Sequence, residues 1–253
     1  MIFIKTIVAF LLFSNFLFSQ ESKIKTEEAQ PETILFIGNS YLYYGDSLHN
    51  HFRRMVEEYF SGYDASSVKS ATIGGSRLKH HNVERLIKPK AISSIEKFDL
   101  VILQGGSGET LTVDSRKEFS YFVKKHVQTI RENNSQAALY MTHAYVEPHK
   151  KFTENQIKTI AETYTKVGIE NQALVIPVGL AFDLAYQKQP SIRLHKFDGS
   201  HPSLLGTYLA ACTVFSSIYG ESPIGLKYDY FGTINEKDKM FLQETADKAT
   251  SMF

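Results

Sequence analysis

The sequence contains a single cysteine, Cys212, among 253 residues. One thiol cannot form an internal disulfide, so the chain is not one of the small secreted folds that disulfides hold together. Cys212 lies in an apolar stretch with helical spacing, residues 209–215. In that setting a buried small side chain is favoured over a reactive nucleophile.

The chain also has little net charge, +1 at pH 7. Neither a nucleic acid nor an acidic membrane surface is therefore indicated as a partner. No Gly-x-Gly-x-x-Gly follows a predicted strand, and the sequence has no Gly-Lys-Ser or Gly-Lys-Thr, which excludes the common dinucleotide- and nucleotide-binding loops. We expect no cofactor.

The longest apolar run begins the chain and predicts a signal peptide, residues 1–20. It combines Lys5, an apolar stretch and a polar end at Ser19 and Gln20, near which we expect cleavage. The stretch is short for a membrane span, so an uncleaved anchor is the weaker alternative and no stable membrane insertion is expected after cleavage. An exported chain without disulfides predicts a bacterial periplasmic or extracellular location. Residues 21–32 are polar and predict a flexible lead-in.

Residues 33–253 form one predicted domain, in which strand and helix patterns alternate. Strands are predicted at 33–38, 67–73, 98–104, 136–142 and 173–178. Helices are predicted at 47–60, 77–87, 115–132, 153–170, 179–188, 202–218 and 235–251. The alternation predicts an α/β fold, a three-layer α/β/α sandwich around a mostly parallel sheet.

Three of these helix starts depend on a local signal. Ser115-x-x-Glu118 and Thr153-x-x-Gln156 read as capping boxes, and Pro202 suits the first turn of a helix.

Small and polar residues follow three of the predicted strands. Ser40 follows the first, Gly74-Gly75 the second and Gln104-Gly105-Gly106 the third. In a parallel sheet, ligands bind beyond the carboxyl ends of the strands, so these segments are expected to share one rim.

Ser40 is the candidate nucleophile. A serine needs a base to react at neutral pH, and His201 is the best candidate, with Asp198 three residues before it to orient the imidazole. His195 is the alternative base. An ordinary turn that caps a helix would also explain Asp198-Gly-Ser-His201, but a strand-end serine in the same chain favours a triad. Acyl transfer further needs oxyanion donors, for which we predict the amides of Ser40 and Gly75.

Other polar side chains are weaker candidates. His81 and His143 fall near predicted strand ends and could contact a substrate, as could Tyr41, which follows the candidate nucleophile. Tyrosines on a rim can stack on sugar rings, although packing against a neighbouring helix is an equal alternative. A metal at His80-His81 is disfavoured because adjacent histidines point apart and no nearby cysteine or aspartate completes a site, so no metal is predicted.

Together these segments resemble the SGNH (GDSL-like) hydrolase superfamily over residues 33–220. Three segments also resemble the DUF4886-like branch. They are the segment from Tyr41 onward, Gly74-Gly75-Ser76-x-Leu78-x-x-His81, and Asp198-Gly-Ser-His-Pro-Ser-x-x-Gly206. The resemblance implies a flavodoxin-like five-stranded sheet of order 2-1-3-4-5. It also implies Ser40 as nucleophile, His201 as base and Asp198 as its partner, and metal-free hydrolysis of an ester.

The chain departs from the superfamily pattern after the third strand. There the pattern Gly-x-Asn-Asp supplies an asparagine side chain as a third oxyanion donor, whereas this chain has Gly106 at the asparagine position. The side-chain amide of Gln104 or the backbone of Gly106 is the predicted substitute. Asn39 replaces the aspartate of the first block, a difference that many members share.

The predicted function is an exported serine esterase that hydrolyses an acyl ester, an O-acetyl ester above all, on a carbohydrate. The alternatives are a catalytically weak or inactive carbohydrate-binding or surface protein with the same fold, and a lipase or thioesterase. The first alternative arises from Gly106, and the choice of a carbohydrate from export, from the tyrosines and from the resemblance.

Overall fold

The computed structural model describes residues 30–253. The predicted signal peptide, 1–20, and most of the lead-in lie outside these residues. Within 30–253, no helix is both long enough and apolar enough to cross a membrane.

One sheet of five parallel strands forms the centre of the fold, in the order β2-β1-β3-β4-β5. The strands are β1 (Ile34–Gly38), β2 (Val68–Thr72), β3 (Leu100–Gln104), β4 (Gln136–Tyr140) and β5 (Leu174–Ile176). Each lies within its predicted range. The α/β class, the parallel sheet and the flavodoxin-like strand order are therefore confirmed.

Helices cover both faces of the sheet, which makes three layers. They are α1 (Ser40–Tyr43), α2 (Leu48–Tyr59), α3 (Val83–Leu86), α4 (Val113–Glu132), α5 (Gln156–Glu170), α6 (Val178–Lys188), α7 (Leu204–Tyr219) and α8 (Glu236–Met252). Helices α2, α6, α7 and α8 pack on one face, and α3, α4 and α5 on the other. Cys212 is fully buried in α7, and burial raises the pKa of its thiol, as expected of a core residue.

The two faces of β1 show why its apolar run is continuous. Ile34 and Phe36 enter the core under α2 and α7, while Leu35 and Ile37 enter the core under α4. All four are fully buried. Burial of such a side chain contributes up to about 1.5–3 kcal/mol, so β1 is fixed at the centre of the sheet and its carboxyl end has a defined position.

The prediction of one continuous helix at 77–87 is wrong, because the helical pattern is interrupted in its middle. A 3₁₀ turn, Leu78–His80, and the short helix α3 replace it. The His80 Nδ1 accepts a hydrogen bond from the Arg77 amide, and the Asn82 side chain accepts one from the Arg85 amide. A continuous helix would use the Arg85 amide within its own backbone, so the bond to Asn82 ends the regular pattern there and a new helix begins.

The three helix starts predicted from local signals are also wrong in detail. Helix α4 is capped by Thr112, whose Oγ1 accepts from the Ser115 amide, and not by Ser115. Asn155 stands at the N-cap of α5, and Gln156 instead accepts from the Tyr145 amide. Helix α7 begins after Ser203, whose Oγ accepts from Gly206, so Pro202 precedes the helix.

Candidate active site

Ser40 lies in a tight strand-to-helix turn at the carboxyl end of β1. It is the first residue of α1, a short helix that the sequence did not predict. Asn39 caps this helix through Oδ1, which accepts from the Tyr41 amide at 3.0 Å, while its Nδ2 donates to the Ser76 carbonyl at 3.0 Å. A Cβ at Gly38 would lie 2.8 Å from Gln104 Cβ, which is fixed to the β3 backbone, so this close approach of β1 and β3 requires glycine.

Ser40, His201 and Asp198 form one hydrogen-bonded chain. His201 Nε2 lies 2.9 Å from Ser40 Oγ, and His201 Nδ1 lies 2.5 Å from Asp198 Oδ2. Ser40 is 8% exposed, whereas the His201 and Asp198 side chains are more open, at 26% and 46%. The structure thus brings together all three residues of the predicted triad, at distances that permit proton transfer between serine and imidazole.

A turn from Asp198 to His201 holds the Asp198 carboxylate at the Nδ1 edge of the imidazole. Asp198 Oδ1 accepts from the amides of Ser200 and His201, each at 2.9 Å, so both carboxylate oxygens are held. Burial works to raise the pKa of Asp198, but the hydrogen bonds from His201 and from the Ser200 amide outweigh it and lower the pKa to about 2. The carboxylate is therefore ionised at neutral pH and can stabilise an imidazolium.

Tyr44 packs on the His201 ring, a role that the sequence did not reveal. Their ring centroids are 4.1 Å apart at 20°, and the Lys196 Nζ lies over the Tyr44 ring, 4.8 Å from its centroid. The tyrosine thereby limits rotation of the imidazole out of line with Ser40.

The predicted substrate contacts Tyr41, His81 and His143 are all buried. The Tyr41 ring stacks on His143 at 4.1 Å, and its hydroxyl lies 3.1 Å from Ser200 Oγ. Burial holds the pKa of His143 well below its usual range, so the ring is neutral and its Nε2 donates to the Ser200 carbonyl at 2.8 Å. His81 Nε2 lies 2.8 Å from Ser76 Oγ. These side chains therefore form contacts with the Ser200 turn and the Ser76 loop, and they hold both segments in position.

The amides of Ser40 and Gly75 are both free to serve an oxyanion. In the described part of the chain neither amide donates a hydrogen bond. The loop that carries Gly75 is tied to the end of β1, because the Ile73 amide donates to the Gly38 carbonyl at 3.0 Å and Ser76 Oγ donates to the same carbonyl at 3.3 Å. These bonds hold the Gly75 loop beside the end of β1, and the role of its amide as an oxyanion donor stays a prediction.

The two predicted substitutes for a third donor are directed elsewhere. Gln104 Oε1 accepts from the Asn39 amide at 2.8 Å, and its Nε2 donates to the Gly105 carbonyl. The Gly106 amide donates to Glu109 Oε2. The single N–H of Gly106 is therefore engaged, whereas the Gln104 side-chain amide has a second N–H for another acceptor. A third donor from Gln104 stays a prediction.

Glu109 is the residue that holds Gly106, and the sequence analysis missed it. Its side chain is fully buried between the 3₁₀ turn and the Gly105-Gly106 loop. Burial raises the pKa of Glu109 to about 7, against the opposing hydrogen bond from the Gly106 amide. The charges of Arg77 and Glu118 act in opposite directions on the pKa of this carboxyl: Arg77 lowers it and Glu118 raises it.

Replacing Glu109 by glutamine is expected to make stability less sensitive to pH. Because the pKa of Glu109 is raised from 4.5, the folded state favours the protonated form. That stabilisation is fully present below about pH 4.5 and is lost as the pH rises through about 7, a change on the order of 3 kcal/mol. Urea denaturation of the wild type and of Glu109→Gln between about pH 5 and about pH 8 measures it. If the difference between the two proteins stays constant over this range, Glu109 does not titrate as described.

His195, the alternative base, is hydrogen-bonded away from Ser40. Its Nε2 donates to the Ala144 carbonyl at 3.0 Å, and its Nδ1 accepts from the Tyr186 hydroxyl at 2.7 Å. Burial lowers its pKa to about 4. Both ring nitrogens are thus occupied, which leaves His201 as the base candidate. Residues 30–253 also contain no cluster of histidine, cysteine and acidic side chains that could hold a metal ion.

Comparison with known proteins identifies the fold. No protein-family model matches the sequence, and no curated protein matches it significantly. Among solved structures, a DUF4886 family protein from Bacteroides uniformis matches with a TM-score of 0.66 and 20% identity, over 86% of this chain and 93% of that chain. The acetyl xylan esterase AlAXEase matches with a TM-score of 0.54 and 20% identity, over 74% and 99%.

A lipase/acylhydrolase from Enterococcus faecalis matches with a TM-score of 0.56 and 19% identity, over 74% of this chain and 96% of that chain. Further matching structures carry names of the SGNH or GDSL-like class. The chain therefore has the SGNH hydrolase fold and resembles the DUF4886 branch, as the sequence predicted.

Proposed function

We propose that this protein is an exported serine esterase that removes a small acyl group, an acetyl group above all, from a carbohydrate. The observation that carries the proposal is the hydrogen-bonded chain from Ser40 through His201 to Asp198. Export follows from the predicted signal peptide. The acetyl group and the carbohydrate follow from likeness in fold to acetyl xylan esterases.

In the proposed mechanism, Ser40 Oγ attacks the ester carbonyl while His201 Nε2 takes its proton. Asp198 stabilises the imidazolium, and the amides of Ser40 and Gly75 donate to the oxyanion. The tetrahedral intermediate then expels the alcohol, which receives its proton from His201, and an acyl-Ser40 ester remains. Water, deprotonated by His201, attacks this ester and restores the serine.

A fluorophosphonate probe tests the proposal, because it modifies only a serine that a base activates. We expect the wild type to be labelled and Ser40→Ala not to be. Hydrolysis of an aryl acetate and of an acetylated xylo-oligosaccharide then defines the ester. Absence of both labelling and hydrolysis by the folded wild type would rule out the proposed esterase activity.

One observation favours a second function, a carbohydrate-binding protein with little or no activity. The Gly106 amide is held by Glu109, so it is not free as a third oxyanion donor beside the amides of Ser40 and Gly75. Loss of one such donor typically lowers the rate about 10²–10³-fold. Slow labelling of Ser40 with measurable turnover supports a slow esterase, whereas glycan binding without labelling supports the binding protein.

A further inference from the structure

A cleft of about 440 Å³ lies beside the proposed active site, and the mechanism does not use it. Its volume falls in the range of about 300–1,000 Å³ that small-molecule sites occupy. Its walls are residues 144–146 and 152–155, which lie between β4 and α5, the first two residues of α5, part of α6 and His195.

The lining of the cleft has a distinctive chemical composition. It combines aromatic rings, two carboxylates and two side-chain amides. The main aromatic rings are Phe152 and Tyr186, the carboxylates are Glu154 and Asp183, and the amides are Asn155 and Gln156. Among the described residues no lysine or arginine lines it. An anionic ligand would meet the carboxylates without a counter-charge, and an acyl chain would leave the amides unpaired. A neutral ligand with hydroxyl groups and an apolar ring face suits both kinds of side chain.

Gln156 provides a donor that has no partner within the protein. The residue is 6% exposed, and its Oε1 is fixed by the Tyr145 amide at 3.0 Å. Its Nε2 is buried and donates to no group in residues 30–253. Because an unpaired buried donor is unfavourable, this atom is suited to a hydroxyl oxygen of a ligand. Asp183 accepts from Gln187 through Oδ2 at 2.6 Å, and its Oδ1 has no partner in this part of the chain, so it can accept from a hydroxyl.

Two aromatic rings offer a surface for the apolar face of such a ligand. Phe152 is 37% exposed, and Tyr186 is half-buried. The Tyr186 ring is fixed by its hydroxyl, which donates to His195 Nδ1, and by stacking on the His195 ring at 5.7 Å. A fixed ring loses little entropy when a ligand stacks on it.

The cleft adjoins the triad without reaching it. Val146, in its wall, donates its amide to the Gly199 carbonyl at 2.9 Å, within the turn that holds Asp198. Phe182, also in its wall, stacks on His143 at 4.4 Å, and His143 stacks on Tyr41. These rings separate the cleft from Ser40, so a group bound there is not the one whose ester is cleaved.

We infer that this cleft binds a neutral sugar ring of a glycan, at a unit next to the one that carries the ester. The inference rests on the proposed function for the ester and extends it to the alcohol side of the substrate. Phe152 and Tyr186 hold the apolar face of the ring, and Gln156 and Asp183 bind its hydroxyl groups.

Calorimetric titration of unacetylated xylo- and gluco-oligosaccharides into Ser40→Ala tests the inference without turnover. Adding Tyr186→Ala is expected to weaken binding about tenfold, while adding Tyr186→Phe, which keeps the ring, retains it. Phe152→Ala, at a more exposed position, is expected to weaken binding as well, and serves if Tyr186→Ala does not fold. Tyr121→Ala, which removes an aromatic ring 64% exposed on α4, is the matched control.

The outcomes separate this inference from the esterase. Absence of oligosaccharide binding by folded Ser40→Ala overturns it, as does binding that neither Tyr186→Ala nor Phe152→Ala weakens. Binding of a quaternary ammonium compound in place of the sugars also overturns it, since two carboxylates and aromatic rings suit such a cation. None of these results depends on labelling of Ser40, which tests the esterase by itself.

Discussion

Replacing Ser40 by alanine is expected to lower kcat for an aryl acetate by about 10⁴–10⁶-fold, with little change in KM. The serine oxygen is the atom that forms the covalent bond in the proposed mechanism, and within residues 30–253 it is the one hydrogen-bond partner of His201 Nε2. His201→Ala is expected to lose nearly as much, because an unassisted serine is almost fully protonated at neutral pH.

The double variant Ser40→Ala/His201→Ala is the more discriminating measurement. Two groups that act as one unit give losses that do not multiply, so the double variant is expected to be no slower than the worse single variant. Steady-state kinetics with the three variants measures this, and Ser251→Ala, an exposed serine near the end of α8, controls for loss of a hydroxyl. Multiplicative losses would mean that Ser40 and His201 act separately, against the proposed triad.

The strands of the fold were predictable from the sequence because their physical cause is local. The run in β1 is buried on both faces, so its side chains are uniformly apolar, and each observed strand lies within the predicted range. The strand order is not local. Nothing in the apolar pattern says that β1 lies between β2 and β3, and this order came from the resemblance.

The helix starts show where local signals compete. Thr112 stands three residues before Ser115, so the same segment offers two overlapping capping signals, and the earlier one forms. Glu118, assigned by the sequence to a capping box, instead pairs with Arg77 at 3.0 Å and with Lys79 at 2.9 Å. A tertiary ion pair of this kind cannot be recognised from spacing along one helix.

Some residues of the candidate site could be predicted from their spacing in the sequence, and others are brought together only by the fold. Asp198 and His201 are three residues apart, so a single turn can join them, and the spacing gives a usable signal. Ser40 is joined to them only by the fold. The contacts that the sequence did not reveal, Tyr44 on His201 and Glu109 on Gly106, each depend on how two loops meet at the rim. Glu109 lies three residues after Gly106, a spacing that a turn permits but that many exposed glutamates share.

Gly199 has a backbone conformation and close contacts that both affect the position of the candidate site. It lies between Asp198 and His201 at φ +67°, in the left-handed region that favours glycine. A Cβ at this position would lie 2.1 Å from the Val146 carbonyl oxygen and 3.0 Å from the His149 amide nitrogen. Both contacts are backbone atoms of a neighbouring loop, so no side-chain rotation can relieve them.

Gly199→Ala is therefore expected both to destabilise the protein and to displace the triad. The left-handed conformation alone costs an alanine about 1–2 kcal/mol, and the contact with Val146 adds to that. The turn must also move away from Val146, which shifts the Asp198 carboxylate and the imidazole it holds. Because a misplacement of about 1 Å can lower a rate about 10²-fold, we expect at least that loss in kcat, beyond the fall in Tm.

Gly220→Ala is the matched control for this prediction. Gly220 ends α7 at the same φ, +67°, but a Cβ there meets nothing within 4 Å. The control variant carries the conformational penalty without the contact, so it is expected to lose about 1 kcal/mol of stability and no activity. Thermal denaturation and kcat of both variants separate the two effects. A larger fall in Tm than in the control, with activity retained in Gly199→Ala, would show that the turn can move without disturbing the triad. The tight packing of Gly199 against Val146 would then serve stability alone.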